Sequence, residues 1–133
     1  MTDLADTSAW VVTRRRGGVH HTAFTALVHG GQIATCDAIR MELLRGARNA
    51  AELAGMRAEL DALPDCAITG RTWRRAMWIQ ERLAHARGGR HGAVPPTDLL
   101  VAAAAEARGV AVLHHDRHFD EIAAVTGQPM RWI

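Results

Sequence analysis

Lysine is absent from this chain: all sixteen basic residues among its 133 are arginine. That argues against a signalling receiver, an α/β domain whose acidic Mg²⁺ pocket holds an acyl phosphate with a lysine. Arginine grips phosphate through a planar fork, so the formal charge of +2 permits a nucleic-acid partner. A coding bias towards Arg and Ala explains the same composition. Cysteine is scarce too, with Cys36 and Cys66 only and no C-x-x-C pair, which argues against a zinc site and for buried free thiols. The longest apolar run, Leu99 to Ala105, is far too short to span a bilayer, and the N-terminus lacks the basic-then-apolar order of a secretory signal. A cytoplasmic protein with no membrane contact is expected. No repeat, low-complexity tract or Ser/Pro linker divides the chain, so residues 1–133 are expected to form one domain.

What is present is enough apolar residue, 48%, for a single core, arranged as short strand-like runs alternating with helical patterns. Strands are predicted near Asp3 to Ala5, at Gln32 to Thr35, at Val110 to Leu113 and, as an edge, at Met130 to Trp132, with a further short one at 66–68. Helices are predicted from about Ser8, over Thr22 to His29, at 36–46, 49–62 and 71–87, from Pro95-Pro96-Thr97 to Gly109, and over Phe119 to Val125. The Gly pairs at 17–18, 30–31 and 88–89 fall where helical patterns stop. Alternation of this kind predicts an α/β fold: a three-layer sandwich whose central, mostly parallel sheet is flanked by helices, because parallel neighbours need crossover connections.

Sites in such folds form beyond the carboxyl ends of strands, and that rule sorts the acids. Asp6 follows the first strand, where a helix cap by Asp6 or Ser8 is the plain alternative. Glu42 sits on the rim of the apolar face of its helix, where a surface pair with Arg45 is the alternative. Asp98 opens the alanine-rich helix, where it also complements the helix dipole. Asp116 stands where the strand ending at Leu113 runs out. Four carboxylates converging there would repel one another unless cations neutralised them, and oxygen ligands suit Mg²⁺ or Mn²⁺.

The segments DTSAW with Asp6, MELL with Glu42, PPTDLLVAAAA with Asp98 and LHHDRHFDEIA with Asp116 resemble, in order and spacing, the PIN-domain ribonucleases, specifically VapC-type toxins of bacterial toxin–antitoxin pairs. The resemblance implies a parallel sheet sandwiched by helices and an acidic quartet, Asp6, Glu42, Asp98 and Asp116. Asp6, Asp98 and Asp116 would be direct or water-bridged metal ligands, and Glu42 would bind metal or orient water. It also implies RNA cleavage leaving a 5′-phosphate and a 3′-hydroxyl, an antitoxin that occupies the site, and commonly a homodimer. Two departures stand out: many relatives carry Thr or Ser in place of His114, and a further acid in place of His118. Asp120 is a candidate substitute for that acid, and Ser8 or Thr7 for a hydrogen bond to an acid or phosphate. His118 is expected mainly in solvent, with an approach to substrate phosphate as the alternative.

The predicted helix at 71–87 offers one more feature. On a helical wheel Trp73, Ala76, Met77, Leu83 and Ala84 share a face, and Trp78 falls opposite them amid Arg71, Arg74, Arg75, Arg82 and His85. An aromatic among arginines suits RNA, with Trp78 stacking a base and the arginines on phosphates. It equally suits a protein interface, or an exposed aromatic with no role. Two function classes therefore stay open: a metal-dependent endoribonuclease, and a catalytically silent RNA- or protein-binding module on the same fold.

Overall fold

Short stretches whose side chains alternate between two covered faces build the sheet. The structure, a computed structural model, describes residues 2–86 and 88–133. Its strands are β1 (Asp3–Ala5), β2 (Ile33–Ala34), β3 (Ala111–His114) and β4 (Met130–Trp132), all parallel, in the order β2-β1-β3-β4. Leu4 stands beside Val112 and Ala5 beside Leu113, so neighbouring strands bury matching faces. Leu4, Ala34 and Val112 point into one core and Ala5, Ile33 and Leu113 into a second on the other side, the two-residue period expected of strands covered on both faces.

Helices α1 (Thr7–Arg16) and α2 (Gly18–His29) cover the second face, through Ala9, Trp10 and Phe24. Helices α3 (Asp37–Leu44), α5 (Gly70–His85), α6 (Pro96–Arg108) and α7 (Arg117–Thr126) cover the first, and α4 (Ala50–Asp61) packs on α3. This is the three-layer α/β sandwich expected. Val101 to Ala105 of α6 are buried all round, because only small side chains fit between the sheet and α5. Cys36 and Cys66 are free, buried thiols pushed up to about 11 by loss of solvent.

The strand order fixes where a site can form. The connection from β1 to β2 runs over one face through α1 and α2, whereas that from β3 to β4 runs over the other through α7. The crevice between the carboxyl ends of β1 and β3 is therefore the topological switch point.

Several sequence expectations need correction. Helix α2 begins at Gly18, not Thr22, because Gly17 and Gly18 both take positive φ (62° and 51°) and turn the chain straight from one helix into the next. The strand expected at 66–68 is absent; a single bridge joins Thr35 to Asp65, and the chain then enters α5 through a capping box at Thr69 and Thr72. The expected β2 shortens to two residues, and Arg87, the expected end of α5, lies outside the described residues. The buried face of α5 is Thr72, Ala76, Ile79 and Leu83, while Trp73 and Met77 are 51% and 56% exposed and Ala84 is exposed as well. The expected face rotated towards the largest apolar residues, but the tight approach of α6 admits the smaller ones.

Candidate active site

β1 ends at Ala5, and Asp6 caps α1 with extended backbone. Its Oδ2 accepts two hydrogen bonds from Ser8, from the backbone N–H at 3.0 Å and the hydroxyl at 2.6 Å. The same hydroxyl accepts the backbone N–H of His115 at 2.9 Å, just past β3. One serine oxygen thus ties together the two loops that flank the switch point. Asp116 caps α7 in the same manner, its Oδ1 accepting the N–H of His118 at 3.0 Å. The Asp116 N–H donates to Nδ1 of His114 at 3.2 Å, a side chain wholly buried against Phe119 and Trp132. Burial holds His114 below the usual imidazole range, so the ring is neutral and can accept that bond.

Asp98, in the first turn of α6, reaches the crevice from the side and is 9% exposed. Glu42 reaches it from α3, with Oε2 accepting the Thr7 hydroxyl at 2.5 Å. Among the described residues Glu42 makes no pair with Arg45. Thr7 and Ser8 therefore each position an acid, as weighed from the sequence.

The acids feel one another. Burial first, then the negative charge of Asp6, and more weakly that of Asp116, push the Asp98 carboxyl up to about 6, against the opposing pull of His118. Asp6 is raised as well, by burial first and by Glu42 in addition, although the Ser8 bonds resist. Such a site is short of positive charge. Among the described residues His118 brings a ring nitrogen to it: Nδ1 lies 2.9 Å from Asp98 Oδ2 and 3.4 Å from Asp116 Oδ1. One ligand atom each from Asp98, Asp116 and His118 lie within 4.8 Å of one another, a donor set that fits a divalent cation. Asp6 is outside this set but close enough for its charge to raise Asp98.

Comparison with known proteins agrees with the geometry. The PIN domain model matches residues 4–125. The chain belongs to the PIN-domain family. Within it the chain is of the VapC type: it is 38% identical to "Ribonuclease VapC18" of Mycobacterium tuberculosis, over 100% of this chain and 96% of that protein. It is 41% identical to "Ribonuclease VapC51" of the same organism, over 98% and 91%. Two solved structures share the fold, a DNA-bound VapBC from Salmonella typhimurium and a VapBC2 from Rickettsia felis bound to a promoter DNA fragment. Both have a TM-score of 0.69, at 20% and 14% identity, and cover 98% or more of both chains.

Elsewhere on this PIN domain the expected site residues disperse. The Asp120 carboxylate accepts from Trp132 Nε1 at 3.0 Å, on the far side of His114, and stands outside the tight donor set. On α5, Arg75 forms a forked pair with Glu106 (2.7 and 3.1 Å) and lies 4.0 Å over the Trp78 ring, with Arg82 at 5.7 Å. Glu106 is about 12 Å of helix rise beyond Asp98, so this cluster braces α5 on α6 away from the acids. Arg71, Arg74 and Arg82 are exposed and make no ion pair among the described residues. A groove of about 580 Å³ is lined by Met41, Ile68, Trp73 and Leu100 together with Glu42. Sequence reading placed Trp73 on a face shared with Ala76, Met77, Leu83 and Ala84 and did not identify this groove. It also undervalued His118, since the predicted helix began at Phe119 whereas α7 begins at Arg117 and puts residue 118 in its first turn.

Proposed function

We propose that this VapC-type PIN domain is an Mg²⁺- or Mn²⁺-dependent endoribonuclease, the toxin of a toxin–antitoxin pair, which cuts phosphodiesters in loops of tRNA, rRNA or mRNA. The observation that carries the reading is the convergence of Asp6, Glu42, Asp98 and Asp116 on the switch point, with Asp98 held at about 6 by burial and like charge. The names of its ribonuclease relatives support it. A catalytically silent binding module would gain nothing from an acidic set that raises the energy of its own ionised state.

When bound, a divalent cation draws charge off the phosphate oxygens and lowers the pKa of water. The chain's own groups hold and orient. Asp98 and Asp116 would hold the metal, with Asp6, locked by Ser8, as a direct or water-bridged ligand beside them. Glu42, steered by Thr7, positions the attacking water and takes its proton. Arg71, Arg74 and Arg82 offer phosphate contacts along α5, and Trp78, already covered by Arg75, contributes packing more than base stacking. VapBC assemblies among the fold relatives support an antitoxin partner, and the groove beside Glu42 is where such a chain reaches the acids. A homodimer and a cytoplasmic location complete the reading; no helix among the described residues is long and apolar enough to cross a membrane.

The test is cleavage of single-stranded and hairpin RNA by the purified chain with Mg²⁺ or Mn²⁺. Chelation should abolish cutting. Asp116→Asn and Asp6→Asn should each slow it by at least about a hundredfold, the scale of losing one charge-stabilising group, with circular dichroism unchanged. Folded variants that cut at the wild-type rate would overturn those assignments.

A further inference from the structure

Three histidines crowd the end of β3, and their surroundings separate them. His114 is wholly buried; its Nδ1 is occupied by the Asp116 N–H and its Nε2 faces Asp120 at 4.0 Å. His115 is exposed and turns Nδ1 to the Ile133 carbonyl at 3.0 Å. Only His118 directs a ring nitrogen at the acids, with Nδ1 2.9 Å from Asp98 Oδ2 and 3.4 Å from Asp116 Oδ1. Its backbone N–H is held by the same Asp116 carboxylate, which fixes where the side chain leaves the first turn of α7.

We propose that His118 is a metal ligand of this site and that its nitrogen biases the site towards Mn²⁺, and later first-row divalent ions, over Mg²⁺. The inference rests on the metal-dependent reading above and adds a selectivity that four carboxylates alone would not confer. Mg²⁺ is a hard ion that takes oxygen ligands and keeps its waters. Imidazole nitrogen gains affinity along the transition series from Mn²⁺ onward. The donor atoms of Asp98, Asp116 and His118 lie within 4.8 Å of one another, so one cation can meet two oxygens and a nitrogen together. No carboxylate needs to move far: the nitrogen already stands in hydrogen-bonding range of one acid and beside the other.

The readout is spectroscopic. Mn²⁺ bound to the full-length chain should show electron spin echo modulation from a directly coordinated ¹⁴N. The modulation should persist in His115→Ala and vanish in His118→Asp and His118→Ala. Binding isotherms for Mn²⁺ and competing Mg²⁺ should show the preference for Mn²⁺ falling at least about tenfold in His118→Asp, the lower end of what loss of even an outer-shell partner costs. Mg²⁺ binding should be retained in that variant, because the replacement is an oxygen ligand. Bound Mn²⁺ without nitrogen modulation in the wild type would overturn the role of His118 while leaving a metal-dependent nuclease intact, and needs no variant to fold. Modulation that survives in His118→Asp would overturn it equally. Failure of the wild type to bind either ion at millimolar concentration would overturn both readings.

Discussion

Arg40 and Glu42 are two residues apart on α3 and look into opposite kinds of acidic cluster. Arg40 is buried, with its guanidinium 2.7 Å from Asp65, 3.1 Å from Asp37 and 3.3 Å from Asp61. Glu42 turns about 200° away around the helix, to a crevice where Asp6, Asp98 and Asp116 have only an imidazole between them. One cluster carries its own permanent cation and ties α3 to α4 and to the loop before α5. The other gathers like charges and leaves them uncompensated. The contrast is between carboxylates gathered around a buried guanidinium and carboxylates gathered without one, and the proposed function assigns a metal ion to the second.

The sharpest way to break the comparison is to remove the resident cation. Arg40→Met should destabilise the chain by about 2 kcal/mol, since three ion pairs to half-exposed, solvent-screened carboxylates are lost together, and added Mn²⁺ should not restore the loss in a thermal melt. Rescue by metal would mean that the two clusters are not different in kind.

A second effect of similar size runs in the opposite direction. With chelator present, Asp98→Asn should stabilise the fold at pH 7.5 by about 2 kcal/mol. The native carboxyl, raised to about 6 from 3.8, binds more protons than the unfolded one between those values. Wild-type stability from this group is therefore fully present below about pH 4 and is lost as pH rises through about 6. The advantage of the variant should be absent in acid, grow across that window and level off above it. A pH-independent difference would show that Asp98 is not strained by burial and like charge.

The smallest effect concerns the serine that joins the two loops. Ser8→Ala removes the hydroxyl shared by Asp6 and the His115 N–H, and should lower stability by about 1 kcal/mol, as for a partly buried hydrogen bond. Urea melts measure it. A loss within error would mean that the backbone pairing of β1 with β3 holds the crevice without it.

Much of the frame was legible. Strand-like runs separated by helical ones are enough to imply a parallel sheet, and Asp6 and Asp116 betray themselves as acids directly after strands. Asp98 follows from the Pro-Pro-Thr helix start. Other features were not legible, each for a physical reason. Thr72 and Ala76 are small, so nothing in their hydropathy outranks Trp73 and Met77; the close packing of α6 chooses between the two faces. The segment 66–68 has strand-like composition, yet only one bridge forms because the chain must turn at once into α5. Trp78 amid arginines reads equally as an RNA or a protein contact until Glu106 claims Arg75, from a helix 31 residues away in the chain.

By itself the sequence determined the order of strands and helices, the positions of acids at strand ends and helix starts, and thus the kind of fold and the kind of chemistry, because these depend on local periodicity and on residue type. Only the tertiary structure decided which nitrogen faces which carboxylate, which arginine is already engaged and how hard Asp98 is to ionise. Those are matters of distance and solvent exclusion between segments far apart in the chain, and they exist only once the layers have packed.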